Sequence, residues 1–252
     1  MRLTSLTIVA HCYCPPGCDV YRQHLKWEIA SLINHPPRIP VDHISIIAED
    51  DGETLRMIYD LKYAASLVAN VMLRGVLVPE GKLLRRSIAR NDEALRCRSS
   101  ACWFADADYY FGPGCIDALA DQINADTELA CPKEVQVNID HATGDKMVDE
   151  ARDIVLPKID PSLFSPLRRK SAIGGLQIVG GNVARECGYL NESKWTKPVS
   201  SDKGWRKTTE DVAFRRGRQT TFVSLPNLYW IRHEAKGQDM DAAGNVVGSE
   251  AW

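Results

Sequence analysis

Residues 101–108 read ACWFADAD: five apolar residues, then two aspartates that are one residue apart. A short apolar run that ends in a turn is typical of a strand buried on both faces of a sheet. The turn that follows ends in Gly112-Pro113-Gly114. Because α/β proteins bind ligands at the carboxyl ends of their strands, this segment predicts a buried strand that carries Asp106 and Asp108 into a ligand site.

The residues before this segment alternate between strand-like and helix-like patterns. Short apolar strands are predicted at Leu6–Ala10 and Ile44–Ala48, and apolar residues at helical spacing predict helices over 20–33, about 55–71 and 82–98. Strands that alternate with helices build a mostly parallel sheet with helices packed against it. The predicted fold class is therefore α/β, with a mostly parallel sheet flanked by helices.

The second half of the chain is less regular. The pattern predicts helices at 114–123 and 209–218 and a short helix that ends at 187. It predicts strands at 134–139, 176–179, 221–225 and 228–231. Residues 141–171 are polar and contain three prolines, which predicts a long loop that closes over a ligand as a lid. The polar residues after 237 predict a flexible tail over 238–252.

The composition is that of a globular protein. Hydrophobic residues make up 44% of the 252 residues and charged residues 25%, and the net charge is −2. This charge argues against binding of nucleic acid through bulk charge, whereas local basic patches stay open. No apolar run approaches the roughly 18–20 residues of a membrane span, and the first ten residues read as a strand rather than a secretion signal. We expect a cytoplasmic protein without a membrane span, whose cysteines are reduced thiols.

Acidic side chains follow two of the predicted strands. Residues 49–51 read EDD after one strand, and Asp106 and Asp108 follow another. Carboxylate oxygens suit a hard cation such as Mg²⁺ or Mn²⁺ that is bound together with a diphosphate. Alone, the D-x-D tripeptide is weak evidence for such a site, because acidic turns also cap the helix that follows them.

Three further segments complete a pattern along the chain: RSIARN at 86–91, TED at 209–211 and YWIRH at 229–233. Together with the acidic clusters they resemble the GT-A glycosyltransferases, and most closely glycosyltransferase family 2. In that family a Ser-x-Ala-Arg-Asn helix precedes a Phe-x-Asp-x-Asp metal motif, and a Glu-Asp pair supplies the catalytic base. The resemblance covers about residues 3–233. The chain departs from it at 11–14, where HCYC replaces a proline–aromatic–asparagine turn.

The resemblance implies a donor site that contains a metal ion. Asp106 would face the ribose or the metal, and Asp108 would bind Mn²⁺ or Mg²⁺ directly. His233 would be a third metal ligand; the alternative is an ordinary surface histidine. The other donor-binding residues that the resemblance implies are Asp50 or Asp51, which would hydrogen-bond the base or ribose, and Arg86 and Arg90.

The resemblance places the acceptor side in the second half of the chain. Asp211 would be the general base and Glu210 its neighbour; two adjacent carboxylates disfavour simultaneous ionisation, so one pKa rises toward a useful range. The alternative is a helix N-terminus decorated with acids, which the helix dipole favours. The Gly-Gly segment that borders the acceptor site corresponds to Gly180 and Gly181, and Trp205 is assigned to the same side.

The resemblance implies one glycosyltransferase domain over 1–237 with the GT-A (Rossmann-like) fold, a mixed, mostly parallel sheet flanked by helices. Its nucleotide-sugar-binding half would reach to about 108 and its acceptor-binding half would begin at 109. The predicted reaction is metal-dependent, inverting transfer of a hexosyl or pentosyl group from a nucleotide-diphosphate-sugar to a hydroxyl. The acceptor would be a glycan, a small molecule or nucleic acid. Two alternatives stay open: the same chemistry on a modified base in DNA, as in viral hydroxymethylpyrimidine glycosyltransferases, and a non-catalytic nucleotide-sugar or glycan-binding module.

Basic residues are clustered although the total charge is nearly balanced. The clusters lie at 82–98, 168–170, 203–207 and 215–218. Ordinary solvated helix faces and contacts to the donor diphosphate would explain them. The alternative is a polyanionic acceptor such as DNA, RNA or a phosphorylated glycan.

Overall fold

The computed structural model describes residues 2–14, 19–150, 159–198 and 209–233. The predicted tail at 238–252 and Trp205 lie outside these residues. The first elements are β1 (Leu6–His11), α1 (Val20–Asn34), β2 (Val41–Ala48), α2 (Gly52–Ala65), β3 (Val71–Val78), α3 (Glu80–Leu83), α4 (Arg86–Leu95) and β4 (Ala101–Asp106). The others are β5 (Tyr109–Phe111), α5 (Cys115–Gln122), β6 (Leu129–Pro132), β7 (Glu134–Asn138), α6 (His141–Glu150), a 3₁₀ turn (Pro161–Leu163), β8 (Phe164–Arg168), β9 (Gln177–Gly180), α7 (Gly181–Cys187), α8 (Glu210–Arg215), β10 (Thr220–Val223) and β11 (Leu228–Trp230).

Seven strands form one large sheet in the order β10-β6-β9-β4-β1-β2-β3. Neighbouring strands run parallel except at β9, which is antiparallel to both β4 and β6. Every residue of β1 is buried, as are the first five of β4, because central strands are covered on both faces. This confirms the predicted α/β class with a mixed, mostly parallel sheet. No helix in the described part of the chain is long and apolar enough to cross a membrane.

The register of the central strands brings their carboxyl ends to one edge of the sheet. His11, the last residue of β1, lies opposite Ile46 of β2 and opposite Asp106, the last residue of β4. The chain leaves β4 at this edge and reaches β5 after only two residues. A ligand at this edge would therefore meet the ends of β1 and β4 and the turn that follows each strand.

A smaller sheet has the strand order β5-β11-β7-β8. Its side chains Tyr110 and Tyr229 pack with Trp27 of α1 in a second buried cluster. This contact holds the smaller sheet against α1, next to the turn after β4. The end of β11 reaches that turn, where the Ile231 N–H donates to the Asp108 carbonyl at 2.9 Å.

The prediction of a long loop over 141–171 is wrong for the described part of that segment. It contains α6, a 3₁₀ turn and β8. β8 is an edge strand, and four of its five residues are exposed. An edge strand accepts proline and polar residues because one of its sides faces solvent, so it lacks the apolar pattern that would identify it. Residues 151–158 of the predicted loop lie outside the described residues.

Candidate active site

Asp106 ends β4 and is held by two arginines of α4. Arg86 Nη1 donates to Asp106 Oδ1 at 2.8 Å, and Arg90 Nη2 donates to the same oxygen at 3.0 Å. The two arginines are four residues apart and therefore lie on one face of the helix. The structure thus brings together three of the residues that the sequence assigned to the donor site.

Arg90 is almost completely buried, with 1% of its surface exposed. Besides Asp106, its guanidinium donates to the carbonyl oxygens of Ala105 and Gly174, at 3.1 and 3.0 Å, and to the Tyr189 hydroxyl at 3.3 Å. A buried guanidinium needs a counter-ion and hydrogen-bond acceptors, since its desolvation is costly without them. The guanidinium of Arg90 therefore connects α4, the end of β4 and the loop before β9.

Gly174 and Gly175 form the loop that covers Asp106. A β-carbon on Gly175 would lie 2.5 Å from Tyr109 Cε2 and 2.8 Å from Asp106 Oδ2, which is closer than any side chain tolerates. The Trp103 indole N–H also donates to the Gly175 carbonyl, at 2.9 Å. Sequence reasoning missed this pair, although a Gly-Gly dipeptide directly before a buried strand was available as a signal.

Gly180 and Gly181, which the sequence assigned to the acceptor side, lie at the opposite end of β4. Gly180 pairs with Ala101, the first residue of that strand. A β-carbon on either glycine would overlap a neighbouring backbone carbonyl, so both glycines serve close packing of the main chain. The structure does not bring them together with Asp106, and Trp205, the third residue assigned to that side, lies outside the described residues.

The two carboxylate oxygens of Asp108 differ in their hydrogen bonding. Its Oδ2 accepts from the Trp230 indole N–H at 2.7 Å. Its Oδ1 is buried and has no hydrogen-bond partner among the described residues. Burial, and next the nearby Asp106 carboxylate, raise the pKa of Asp108 to about 7. A buried carboxylate oxygen without a partner is an available ligand for a hard cation, which would also lower this pKa.

His233 lies against α1. Its ring centroid is 4.4 Å from that of His24 and 5.0 Å from that of Tyr21. Nowhere in the described ranges do three His, Cys, Asp or Glu side chains form a group that could hold a metal ion. Asp106, Asp108 and His233 are therefore not assembled as a ready set of three ligands, and His233 is packed among aromatic rings rather than on an open surface.

Sequence reasoning did not assign two buried polar side chains near this edge to the site. Both ring nitrogens of His11 lack hydrogen-bond partners among the described residues, and burial, followed by the charges of Arg90 and Arg86, lowers the pKa of His11. Glu28 of α1 is fully buried, 3.7 Å from His43 Nε2, and burial raises its pKa. Both groups are therefore neutral over a wider range of pH than exposed groups of their kind.

The acidic turn after β2 contains one structural and one exposed aspartate. Asp51 caps α2: its carboxylate accepts from the Thr54 N–H at 3.0 Å and from the Thr54 hydroxyl at 2.6 Å. Arg22 also approaches Asp51, at 3.4 Å. Asp50 is exposed. Of the two residues assigned to the nucleotide, Asp50 is the one whose carboxylate is not engaged in capping the helix.

Glu210 and Asp211 begin α8 but have different surroundings. Glu210 is buried and accepts from the Ser87 N–H at 2.9 Å and from Arg85 Nη1 at 3.3 Å. Its carboxylate therefore joins α8 to the first turn of α4. Asp211 is half-buried, and within the described ranges its carboxylate forms no hydrogen bond. Only its main-chain carbonyl is engaged, by Gln177 Nε2 at 2.9 Å.

A chain of hydrogen bonds connects this part of α8 with Asp106. The Tyr189 hydroxyl donates to Gln177 Oε1 at 2.8 Å, and Gln177 in turn donates to the Asp211 carbonyl. Tyr189 also accepts from Arg90, which binds Asp106. The carboxylate of Asp106 and the main chain at Asp211 are thus connected through buried polar side chains.

Comparisons with known proteins add little to this geometry. Neither the protein-family models nor the curated proteins gave a match to the chain. The apo structure of the bifunctional glycosyltransferase WbbM is similar to 52% of this chain, with 16% sequence identity and a TM-score of 0.38. The match spans 23% of the length of that protein.

The raised pKa of Asp108 predicts a pH-dependent stability. An unfolded aspartate has a pKa of about 3.9, whereas that of folded Asp108 is about 7. The folded state therefore retains a proton that the unfolded state loses, and its stability falls as pH rises from about 4 through 7. Asp108→Asn mimics the protonated form. We expect the two proteins to have similar free energies of unfolding near pH 4, and the variant to be the more stable above pH 7.

Urea unfolding in EDTA, followed by far-ultraviolet circular dichroism at several pH values, measures this difference. A difference between wild type and Asp108→Asn that stays constant from pH 4 to 8 would contradict the raised pKa.

Proposed function

We propose that this protein is a glycosyltransferase that moves a sugar from a nucleotide-diphosphate-sugar to an acceptor hydroxyl. One observation carries the proposal: Asp108 Oδ1 is buried without a partner among the described residues, at the carboxyl end of β4 and two residues from an aspartate that is fixed by Arg86 and Arg90. The α/β sheet, which binds ligands at this edge, supports it. So does the order of motifs that resembles glycosyltransferase family 2.

The donor site fits a divalent cation. Asp108 would hold Mn²⁺ or Mg²⁺ through its orphaned oxygen, and Asp106 would turn its Oδ2 to the same ligand, because its Oδ1 is occupied by the arginines. Oxygen donors of this kind suit hard cations, and the donor diphosphate would complete the ligand set. When bound, such an ion supplies positive charge that stabilises the departing diphosphate. Asp50, exposed beside the end of β2, would hydrogen-bond the nucleoside.

The acceptor is activated by Asp211. Its carboxylate takes the proton of the acceptor hydroxyl while the oxygen forms a bond to the anomeric carbon and the bond to the diphosphate breaks. Attack from the face opposite the leaving group inverts the configuration. Asp211 suits this role because its carboxylate is half-buried and forms no hydrogen bond within the described ranges. Glu210 instead positions α8 through Ser87 and Arg85.

Turnover in the absence of an acceptor distinguishes this function from a sugar-binding module. We expect slow hydrolysis of the correct nucleotide-sugar with Mn²⁺, and none in EDTA or in Asp108→Ala. The measurement is release of nucleoside diphosphate from a panel of nucleotide-sugars. Binding of a nucleotide-sugar without release by the wild-type protein would identify a binding module, and full activity in EDTA would overturn the metal assignment.

The roles of Asp211 and Glu210 are distinguished by measuring the transfer activity and the melting temperature of a variant at each position. Asp211→Asn keeps the shape but cannot take a proton, so we expect transfer to fall by about 10²–10⁴-fold with an unchanged melting temperature. Glu210→Gln weakens a buried anchor, so we expect a lower melting temperature and a smaller loss of transfer. Both are measured on the same preparations by transfer assay and calorimetry. Near wild-type transfer by Asp211→Asn would show that Asp211 is not the base.

A further inference from the structure

The charge of the chain is divided unevenly along its length. Residues 159–233 contain 13 Lys and Arg against 6 Asp and Glu, a net charge of +7, whereas residues 1–158 contain 17 against 23, a net charge of −6. The near-neutral total therefore conceals a strongly basic segment. This is the segment that contains Asp211 and the Gly174–Gly175 loop.

We call a set of seven basic residues the basic strip. Six of them belong to residues 159–233 and one lies between β6 and β7: Lys133, Arg168, Arg169, Lys170, Arg215, Arg216 and Arg218. Backbone and side-chain contacts join its parts. The Arg169 N–H donates to the Lys133 carbonyl at 2.8 Å, and Arg215 Nη1 donates to the Ser171 hydroxyl at 2.7 Å. The residues after β8 therefore lie beside the end of α8, although more than 40 residues of sequence separate them.

Most side chains of the strip are exposed and form no close ion pair with a carboxylate in the described part of the chain. Lys133, Lys170 and Arg216 are exposed, and none of them forms an ion pair with a carboxylate in the described ranges. The Arg168 side chain is 91% exposed, and its nearest carboxylate oxygen, on Glu134, is 3.9 Å away. Exposed pairs of this kind contribute little to stability. The positive charge is therefore available to a ligand.

The strip begins at the proposed acceptor side. Arg215 follows Asp211 by four residues and so lies one helical turn along the same face of α8. Its partner Ser171 comes three residues before Gly174, which lies over Asp106. The neighbours of Ser171 and Arg215 in the sequence, Lys170 and Arg216, are exposed and continue the strip on both sides of the Arg215–Ser171 contact. An acceptor whose hydroxyl reaches Asp211 would extend along these side chains.

We propose that the acceptor is a nucleic acid, whose backbone phosphates bind along the basic strip. The proposal rests on the proposed function, which assigns Asp211 to the acceptor. The seven cations come from three segments of the chain and outnumber those that one phosphate engages, so they suit a repeating anion. Binding through phosphates is independent of base sequence and strongly dependent on salt.

Fluorescence anisotropy with a labelled 20-base-pair DNA duplex, and with its single strand, tests the proposal in the absence of donor and metal. Each phosphate contact contributes about 0.9 to the slope of log K against log salt concentration. The variant Arg168→Ala/Lys170→Ala/Arg216→Ala should therefore lower that slope by about 3 units. The matched control Arg56→Ala/Lys62→Ala/Arg96→Ala removes the same charge from exposed positions outside the strip and should keep most of the wild-type slope.

Binding of either DNA form, lost in the strip variant and kept in the control, supports the proposal. Absence of binding at 50 mM salt, equal losses in both variants, or tight binding of a labelled heparin oligosaccharide without binding of DNA would overturn it. Hydrolysis of nucleotide-sugar, measured separately, tells which claim has failed. Hydrolysis without DNA binding refutes only the nucleic-acid acceptor, whereas DNA binding without hydrolysis refutes the proposed transfer reaction.

Discussion

The pairing of Arg86 and Arg90 with Asp106 is the interaction on which the rest of the site depends. Arg90 is buried, so its charge must be compensated within the fold, and Asp106 supplies the counter-charge at 3.0 Å. The same guanidinium uses carbonyls of β4 and of the Gly174 loop as acceptors. A single cation thus holds a strand end, a helix and a loop in fixed positions. Removal of Asp106 would leave Arg90 as a buried charge without its counter-ion.

The carboxylates near Asp106 fall into two groups: those that hydrogen-bond within the fold, and those with oxygens that no described residue engages. Asp51 caps α2, Glu210 caps α4 from another helix, and Asp106 gives one oxygen to the arginines. Asp108 and Asp211 are left with carboxylate oxygens that no described residue engages. Several acidic groups near this edge therefore hold elements of the fold together. Asp108 and Asp211 belong to the segments to which the sequence assigned metal binding and base catalysis.

The central strand and its aspartates were predictable because their signals are local: an apolar run followed by acids. The role of Glu210 was not, because its bond to Ser87 joins residues 123 positions apart. The contact of Gly175 with Asp106 was not predictable for a similar reason. Gly175 and Gly180 both flank a buried strand, and only contact with Asp106, formed in three dimensions, distinguishes them. β8 was missed because an edge strand requires no apolar pattern.

The central claim is that Asp106 and Asp108 form, with a nucleoside diphosphate, one metal site at the end of β4. Anomalous scattering from crystals grown with Mn²⁺ and a panel of nucleoside diphosphates tests it most directly. We expect an anomalous peak within about 2.5 Å of a carboxylate oxygen of Asp108, with the diphosphate on the same ion and the nucleoside toward Asp50. A nucleotide bound at this edge without a peak at Asp108, or a Mn²⁺ ion held elsewhere together with the diphosphate, would contradict it.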